Sequence, residues 1–351
     1  MKTAPTNIAN PRFRAFICLA ISTGLILVGL WPFNFFPDNN VRWLTDSDGL
    51  RFDRYGMACV REPVFVPGGT IDLTKGWTVY LEARPLDEPS DSLPRLLSIH
   101  DNDGRELFLI GQWRSGLVIR TLEDERHFRL KYRETGVGNF RRDTKRTFAV
   151  HCDNTGVAVY AEGRSVPSRI GGPHLLLSKN RAPAYLIIGN SPTGEHPWRG
   201  DILSLSLLGK ESIISYRFSE GRGSICRSDS GSGHDLVIPA VFRAPKKGIL
   251  VPTWKVQQFN RSFWKDVIVN VLGFIPFGFA VSARLWRGDG KTRLLSTATA
   301  VLLGGGISLA IELLQVYLPT RDSSLTDVIN NVLGTWIGVL LFRAARRILY
   351  R

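Results

Sequence analysis

Cysteine is scarce in this 351-residue chain, with four residues at positions 18, 59, 152 and 226. None forms a CxxC pair, which argues against a zinc knuckle. Histidine is nearly as sparse. Its six copies, at 100, 127, 151, 174, 196 and 234, make neither HExxH nor another close zinc pattern. No nucleic-acid-binding module is legible, although basic residues outnumber acidic ones 45 to 31. The excess positive charge therefore points to an anionic membrane surface rather than to nucleic acid. Charge is thin where apolar residues gather: residues 38–262 hold 32 Lys/Arg and 26 Asp/Glu, whereas the other 126 residues hold only 13 and 5.

Those terminal regions contain four long apolar blocks, at 13–33, 266–286, 294–317 and 325–342. At about 1.5 Å per residue each reads as a membrane-crossing helix, the fourth only if its polar start lies within the span. The first block lacks a small-residue cleavage site and ends in "LWPFNFF", so an uncleaved anchor is expected rather than a signal peptide. Basic residues then set direction. Lys2, Arg12 and Arg14 precede the first block, Arg284, Arg287, Lys291 and Arg293 separate the second from the third, and Arg343, Arg346, Arg347 and Arg351 follow the fourth. With four crossings all three clusters share one side, which the positive-inside rule makes cytoplasmic. Both termini, 1–12 and 346–351, are then cytoplasmic, and residues 38–262 lie outside.

The apolar blocks carry an echo. "DVIVNVLG" at 266–273 and "DVINNVLG" at 327–334 agree at seven of eight positions. Asp266 and Asp327 are expected at helix starts, where a carboxylate meets the positive end of the dipole. Asn270 and Asn331 lie one turn deeper. Gly273, Gly334 and Gly338 offer small faces for close helix approach, Pro276 is expected to bend its helix, and Gly278 to relieve crowding there. Glu312 and Gln315 share a face near the end of the third block, and Arg321 and Asp322 follow in a short loop. With Asn330, these residues outline a polar cleft near the outer leaflet. An ionisable group in a membrane segment is a functional candidate. Glu312, Arg321 and Asp327 are the candidate catalytic residues; the competing readings are a structural network joining Glu312 to Arg321 or an Asn, and simple exposure at the interface.

The stretches "NVLGFIPFGF" and "SLAIELLQVYLPTRDSSLTDVINNVLGTWIG" resemble the core of VanZ-like membrane proteins. The resemblance covers about 264–345, with the first helix as a detached opening helix, and it implies an envelope membrane protein. It supplies no agreed reaction, and a large domain separates the first helix from the other three.

That domain, 38–225, reads as short alternating runs broken by Asn, Asp and Gly turns, as in "WTVYLEARPL" and "RTFAVHCDNTGVAVYAEGRSV". The pattern predicts an all-β antiparallel, jelly-roll-like sandwich inserted after the first of four transmembrane α-helices. "FAVHCDNTGVAVYAEGRSV" and "LIIGNSPTGEHPWRGDILSLSLL" resemble the concanavalin or LamG-like superfamily over about 70–215, which implies recognition of carbohydrate or protein rather than hydrolysis. The acidic run Glu123, Asp124, Glu125 does not establish the two opposed carboxylates that glycoside hydrolysis needs. Trp113 and Trp198 are candidates for stacking on sugars, against core or rim packing. Asp101 and Asp103 are weak calcium candidates. Cys59, Cys152 and Cys226 would face an oxidising compartment, where a disulfide is permitted. Residues 226–263 read as a linker with an interfacial segment carrying Trp254, Trp264, Lys246, Lys247 and Arg261.

These observations lead to a bacterial cytoplasmic-membrane protein whose partners are the bilayer and an envelope glycan, glycolipid or protein. Calcium is the one cofactor considered. The rivals are an enzyme acting on a lipid-linked envelope substrate and a non-catalytic protein-binding scaffold. Sidedness is directly testable. A phosphatase reporter that is active only outside the cytoplasm is expected to be active when fused after residue 247 and inactive when fused at residue 288. The reverse pattern would invert the topology.

Overall fold

The structure is a computed structural model describing residues 10–66, 76–126, 129–153, 155–162, 164–171, 183–209, 213–252, 261–286 and 292–349. The chain divides into a β unit, Phe36–Lys247, and a helical unit formed by the residues up to Phe35 and from Gly248 onward. The expected Asn154 turn and Trp254 lie outside the described residues.

The helical unit contains α1 (Pro11–Gly29), α2 (Arg261–Leu285), α3 (Thr292–Gln315) and α4 (Leu325–Leu349). Among the described residues, these four are long and apolar enough to cross a bilayer. Asn10 caps α1 by accepting the Arg12 N–H, and Pro11 follows at the first helical position. One expectation shifts. α2 begins five residues before Asp266, so that carboxylate does not cap its start, whereas Asp327 does fall in the first turn of α4. Pro276 lies inside α2.

Glycine explains how closely α2 and α4 pack. A Cβ on Gly334 would strike the Val271 carbonyl, one on Gly338 the Ile275 carbonyl, and one on Gly278 the Thr335 carbonyl. These backbones touch, as small residues permit where helices cannot rely on the hydrophobic effect to associate. Gly273, the counterpart of Gly334 in the echo, has nothing within 4 Å of its hypothetical Cβ. Its expected packing role is therefore corrected: seven matching letters place the two glycines on different kinds of face.

The β unit opens with β1 (Val41–Trp43), β2 (Leu50–Phe52), β3 (Ala58–Val60), β4 (Trp77–Pro85), β5 (Arg95–Asp101) and β6 (Glu106–Trp113). It continues with β7 (Gly116–Arg126), β8 (Arg129–Gly138), β9 (Arg146–Asp153), β10 (Gly156–Ala161) and β11 (Arg164–Gly171). The last strands are β12 (Ala184–Ile188), β13 (Gly200–Leu208), β14 (Ile213–Tyr216), β15 (Ile225–Cys226) and β16 (Leu236–Val237). They form two antiparallel sheets. The first runs β1-β2-β13-β4-β9-β10-β11, with β14 also on β13, and the second runs β15-β16-β3-β12-β5-β6-β7-β8. This is the expected jelly-roll-like sandwich. Period-two alternation builds its core: Val79, Leu81 and Ala83 of β4, Phe148 and Val150 of β9, and Leu205 and Leu207 of β13 all point inward. Trp77 anchors the middle, edge-on to both Phe65 and Phe108. Each of the buried Val, Leu and Phe side chains contributes about 1.5–3 kcal/mol.

β16 pairs with β3 and β15 with β16, and residues 226–247 fall within the β unit, not in the expected linker. The disulfide expectation is corrected as well: Cys59, Cys152 and Cys226 are free thiols. Cys152 and Cys226 are packed in the core, while Cys59 joins a separate apolar cluster with Met57, Ile187 and Phe242. Burial raises all three thiols above their ordinary range and keeps them protonated at neutral pH.

The glycine contacts give a sharp contrast. Gly334→Ala is expected to cost about 1–3 kcal/mol by overpacking, and Gly273→Ala almost nothing. Thermal denaturation of both variants in detergent measures the difference, and equal losses would refute the packing assignment.

Candidate functional site

The polar residues of the helical unit gather where the end of α3, the start of α4 and the end of α1 meet. A helix leaves its first N–H groups and last carbonyls unsatisfied, and the side chains here meet that need. Glu312, only 2% exposed, accepts the Ser324 backbone N–H at 2.7 Å, just ahead of α4. Gln315 donates to the Gly29 carbonyl at 2.8 Å, and Arg321 to the Trp31 carbonyl at 3.1 Å, both at the end of α1. Asn331 donates to the Ser308 hydroxyl at 2.9 Å, tying α4 to α3.

This arrangement differs from the Glu312–Arg321 pair of the competing structural-network reading. Arg321 goes to a backbone carbonyl, and Glu312 takes a backbone N–H instead of the guanidinium. Arg321, Asp322 and Asp266 are exposed, whereas Gln315, Asn330 and Asn331 are buried. The buried Glu312 is thus held as a tie between helices rather than presented on an open cleft. Among the described residues of this unit, Asn330 Nδ2, Asn331 Oδ1 and Ser282 Oγ are buried without a hydrogen-bond partner.

In the sandwich, two expected site residues turn out to be structural. Trp198 is fully buried and donates its indole N–H to Gln112 Oε1 at 2.7 Å, so it cannot stack on a ligand. Trp113, at the end of β6, is exposed. Asp101 shapes a turn: its carboxylate accepts the backbone N–H groups of Asp103 and Arg105 and pairs with the Arg105 side chain at 2.6 Å. Asp103 lies 3.5 Å from the same guanidinium. Donors already engage both Asp101 oxygens, so a calcium ion would compete directly with Arg105.

The register assembles a face that strand patterns alone do not reveal. Tyr80 of β4 lies opposite Ala149 of β9, and Ala149 lies opposite Tyr160 of β10. On the other flank Ser206 of β13 pairs with Tyr80, and Ser215 of β14 with Ser206. One straight row across five strands therefore reads Ser215, Ser206, Tyr80, Ala149, Tyr160. Its tyrosines are 45% and 37% exposed while their neighbours Val79, Leu81 and Val159 are buried. Two strand spacings separate the rings by about 10 Å, and the alanine keeps the floor between them low. In the next row Thr78 pairs with His151, and the threonine hydroxyl lies 2.9 Å from Nδ1. Asp153 sits 3.5 Å from the other ring nitrogen. The side-chain hydrogen bond from Thr155 is the largest influence holding the Asp153 carboxyl below its usual range, so it stays ionised. Tyr80 and Tyr160 were missed as site residues. Each occupies the polar phase of an alternating strand, but the pairing that aligns them is not written in either strand.

Fold and site together define a membrane protein of four apolar helices with an antiparallel sandwich following the first. The family described as VanZ/LLP1 matches residues 214–348, a span that begins at β14, inside the β unit. No curated protein matches the chain. Among solved structures, it is similar to alginate lyase AlyC3 in complex with dimannuronate, at 11% identity over 47% of this chain and 75% of that one, TM-score 0.33. It is also similar to mouse laminin alpha1 chain domains LG4-5, at 13% identity over 57% and 47%, TM-score 0.38. The binding domain of botulinum neurotoxin DC in complex with SialylT gives 11% identity over 50% and 42%, TM-score 0.37. The chain spans less than half the length of the last two. The sandwich assignment rests on the strand pairing of this chain itself.

If Glu312 acts as the acceptor for α4, Glu312→Ala is expected to cost about 1–3 kcal/mol by orphaning the Ser324 N–H. Glu312→Gln keeps an acceptor oxygen and is expected to retain most of the stability. Melting curves in detergent distinguish them, and equal losses would make the negative charge, not the hydrogen bond, the essential feature.

Proposed function

We propose that this chain is a glycan-recognition protein of a bacterial cytoplasmic membrane, anchored by its four helices, with the sandwich on the extracytoplasmic side. The observation that carries the reading is the register-built row Tyr80–Ala149–Tyr160. An exposed aromatic ring offers an apolar face with a polar edge, which suits the C–H face and hydroxyl rim of a pyranose. Two rings about 10 Å apart on one face of a sheet suit an extended oligosaccharide better than a compact metabolite. Ser206, Ser215, Thr78 and His151 supply donors and acceptors around them. The basic clusters at Arg12 and Arg14, at Arg284, and at Arg343, Arg346 and Arg347 support the orientation.

Catalysis by the helical unit fits the geometry less well. Glu312 is buried and engaged, and a general acid or base must come within hydrogen-bond reach of its substrate. The helices are read as the anchor, with the polar ties holding them together.

The experiment is a glycan array with the purified full chain, followed by affinity measurements on the best hit. Tyr80→Ala and Tyr160→Ala are each expected to weaken binding about tenfold, or about 1.4 kcal/mol, with melting temperatures unchanged. Undiminished binding by both variants would remove the platform from the argument. A reproducible protein partner with no glycan signal would replace the reading with a scaffold.

A further inference from the structure

The sandwich has a second feature, separate from the tyrosine row. A cleft of about 300 Å³ opens at the edge of the first sheet, beside the end of β8. Asn139, Arg146, Phe148, Ala161, Glu162 and Arg164 line it. Phe148 and Ala161 are direct cross-strand partners; Phe148 is buried in the core behind the cleft, and Ala161 is half-buried at its mouth. They alternate with Ala149 and Tyr160 along β9 and β10, so the cleft lies on the opposite side of the sheet from the tyrosines.

The polar lining is unbalanced. Arg146 reaches Glu162 only at 3.7 Å, beyond hydrogen-bond distance. The same Glu162 oxygen already accepts the Thr147 backbone N–H at 3.1 Å. Arg146 Nε is buried and has no hydrogen-bond partner. Arg164 is exposed, and no ion pair to it is found among the described residues. Two guanidinium groups thus meet one carboxylate that is partly committed elsewhere. The loop from Asn139 to Arg146 adds Arg141, Arg142 and Lys145 against Asp143. Lys145 is occupied by Glu82 at 2.7 Å and Arg142 by Asp143 at 3.3 Å, and Arg141 does not line the cleft, so Arg146 and Arg164 are its guanidinium groups.

We propose that this cleft binds the carboxylate of an acidic sugar residue. A planar guanidinium matches a carboxylate through parallel N–H donors, and Arg146 and Arg164 supply them. Asn139 and Glu162 take ring hydroxyls, and the half-buried Ala161 offers the apolar contact. The volume lies at the small end of ligand pockets and fits one ring rather than a chain. The sugar as carrier of the acid rests on the glycan reading above. The anion preference rests on the arginines alone.

The test is calorimetric titration of the full chain in nanodiscs with glucuronate, glucose and inorganic phosphate. Glucuronate is expected to bind at least tenfold more tightly than either of the others. Arg164→Gln is expected to weaken glucuronate binding tenfold or more without shifting the melting temperature, because its side chain is exposed. Arg146→Lys, which keeps the charge and loses the fork, is expected to weaken it as well. Equal binding of glucose, phosphate binding as tight as glucuronate, or indifference to Arg164→Gln would overturn the proposal. Loss of the cleft with retention of Tyr80-dependent glycan binding would sink this inference alone and leave the broader reading standing.

Discussion

The hydrogen bond from the Ser324 N–H to the Glu312 carboxylate sets the logic of the helical unit. Hydrocarbon offers no water to a backbone group that a helix end leaves open, so each needs an internal partner. Glu312 serves the start of α4. Gln315 and Arg321 serve carbonyls at the end of α1. The residues that look most reactive in the sequence are therefore the ones that close helix ends. Their polarity follows from the architecture before any chemistry is assigned to them.

The same constraint acts in the sandwich with a different solution. Asp201 of β13 is completely buried, yet Arg51 of β2 and Arg84 of β4 hold it from the two neighbouring strands. Breaking such a buried pair costs far more than its formation contributes, because the remaining charge is stranded. Asp201 therefore fixes which residues of β2, β13 and β4 stand opposite one another. Since a one-residue slip would turn every side chain to the other face, this lock also holds the phase that exposes Tyr80 and buries Val79.

Much of this was legible in the sequence, and the part that was not has a common cause. Apolar length disclosed all four helices, and alternation disclosed the sandwich, because both depend on residues close together in the chain. The linker was misread because β15 and β16 are two-residue strands, too short for a periodic signal. Gly273 was misread because a local repeat says nothing of what faces it. Glu312 was correctly picked out as a polar residue in an apolar run, but its partner is a backbone N–H, which no side-chain pattern encodes. Trp198 and Trp113 look equivalent as letters, and only burial separates them. Tyr80 and Tyr160 are 80 positions apart, and β9 alone makes them neighbours.

Recognition and anchoring therefore make opposite demands on polar groups. In the helical unit Glu312, Gln315 and Asn331 are drawn inward to helix ends and neighbouring helices, which leaves apolar surface free to face lipid. On the sandwich, two tyrosine rings stay exposed although each would gain by burial, and Arg146 keeps a buried N–H without an acceptor. Neither feature helps the fold in isolation. These uncommitted aromatic faces and guanidinium donors are the reason the proposed ligand recognition is placed on the β unit rather than on the acid-bearing helices.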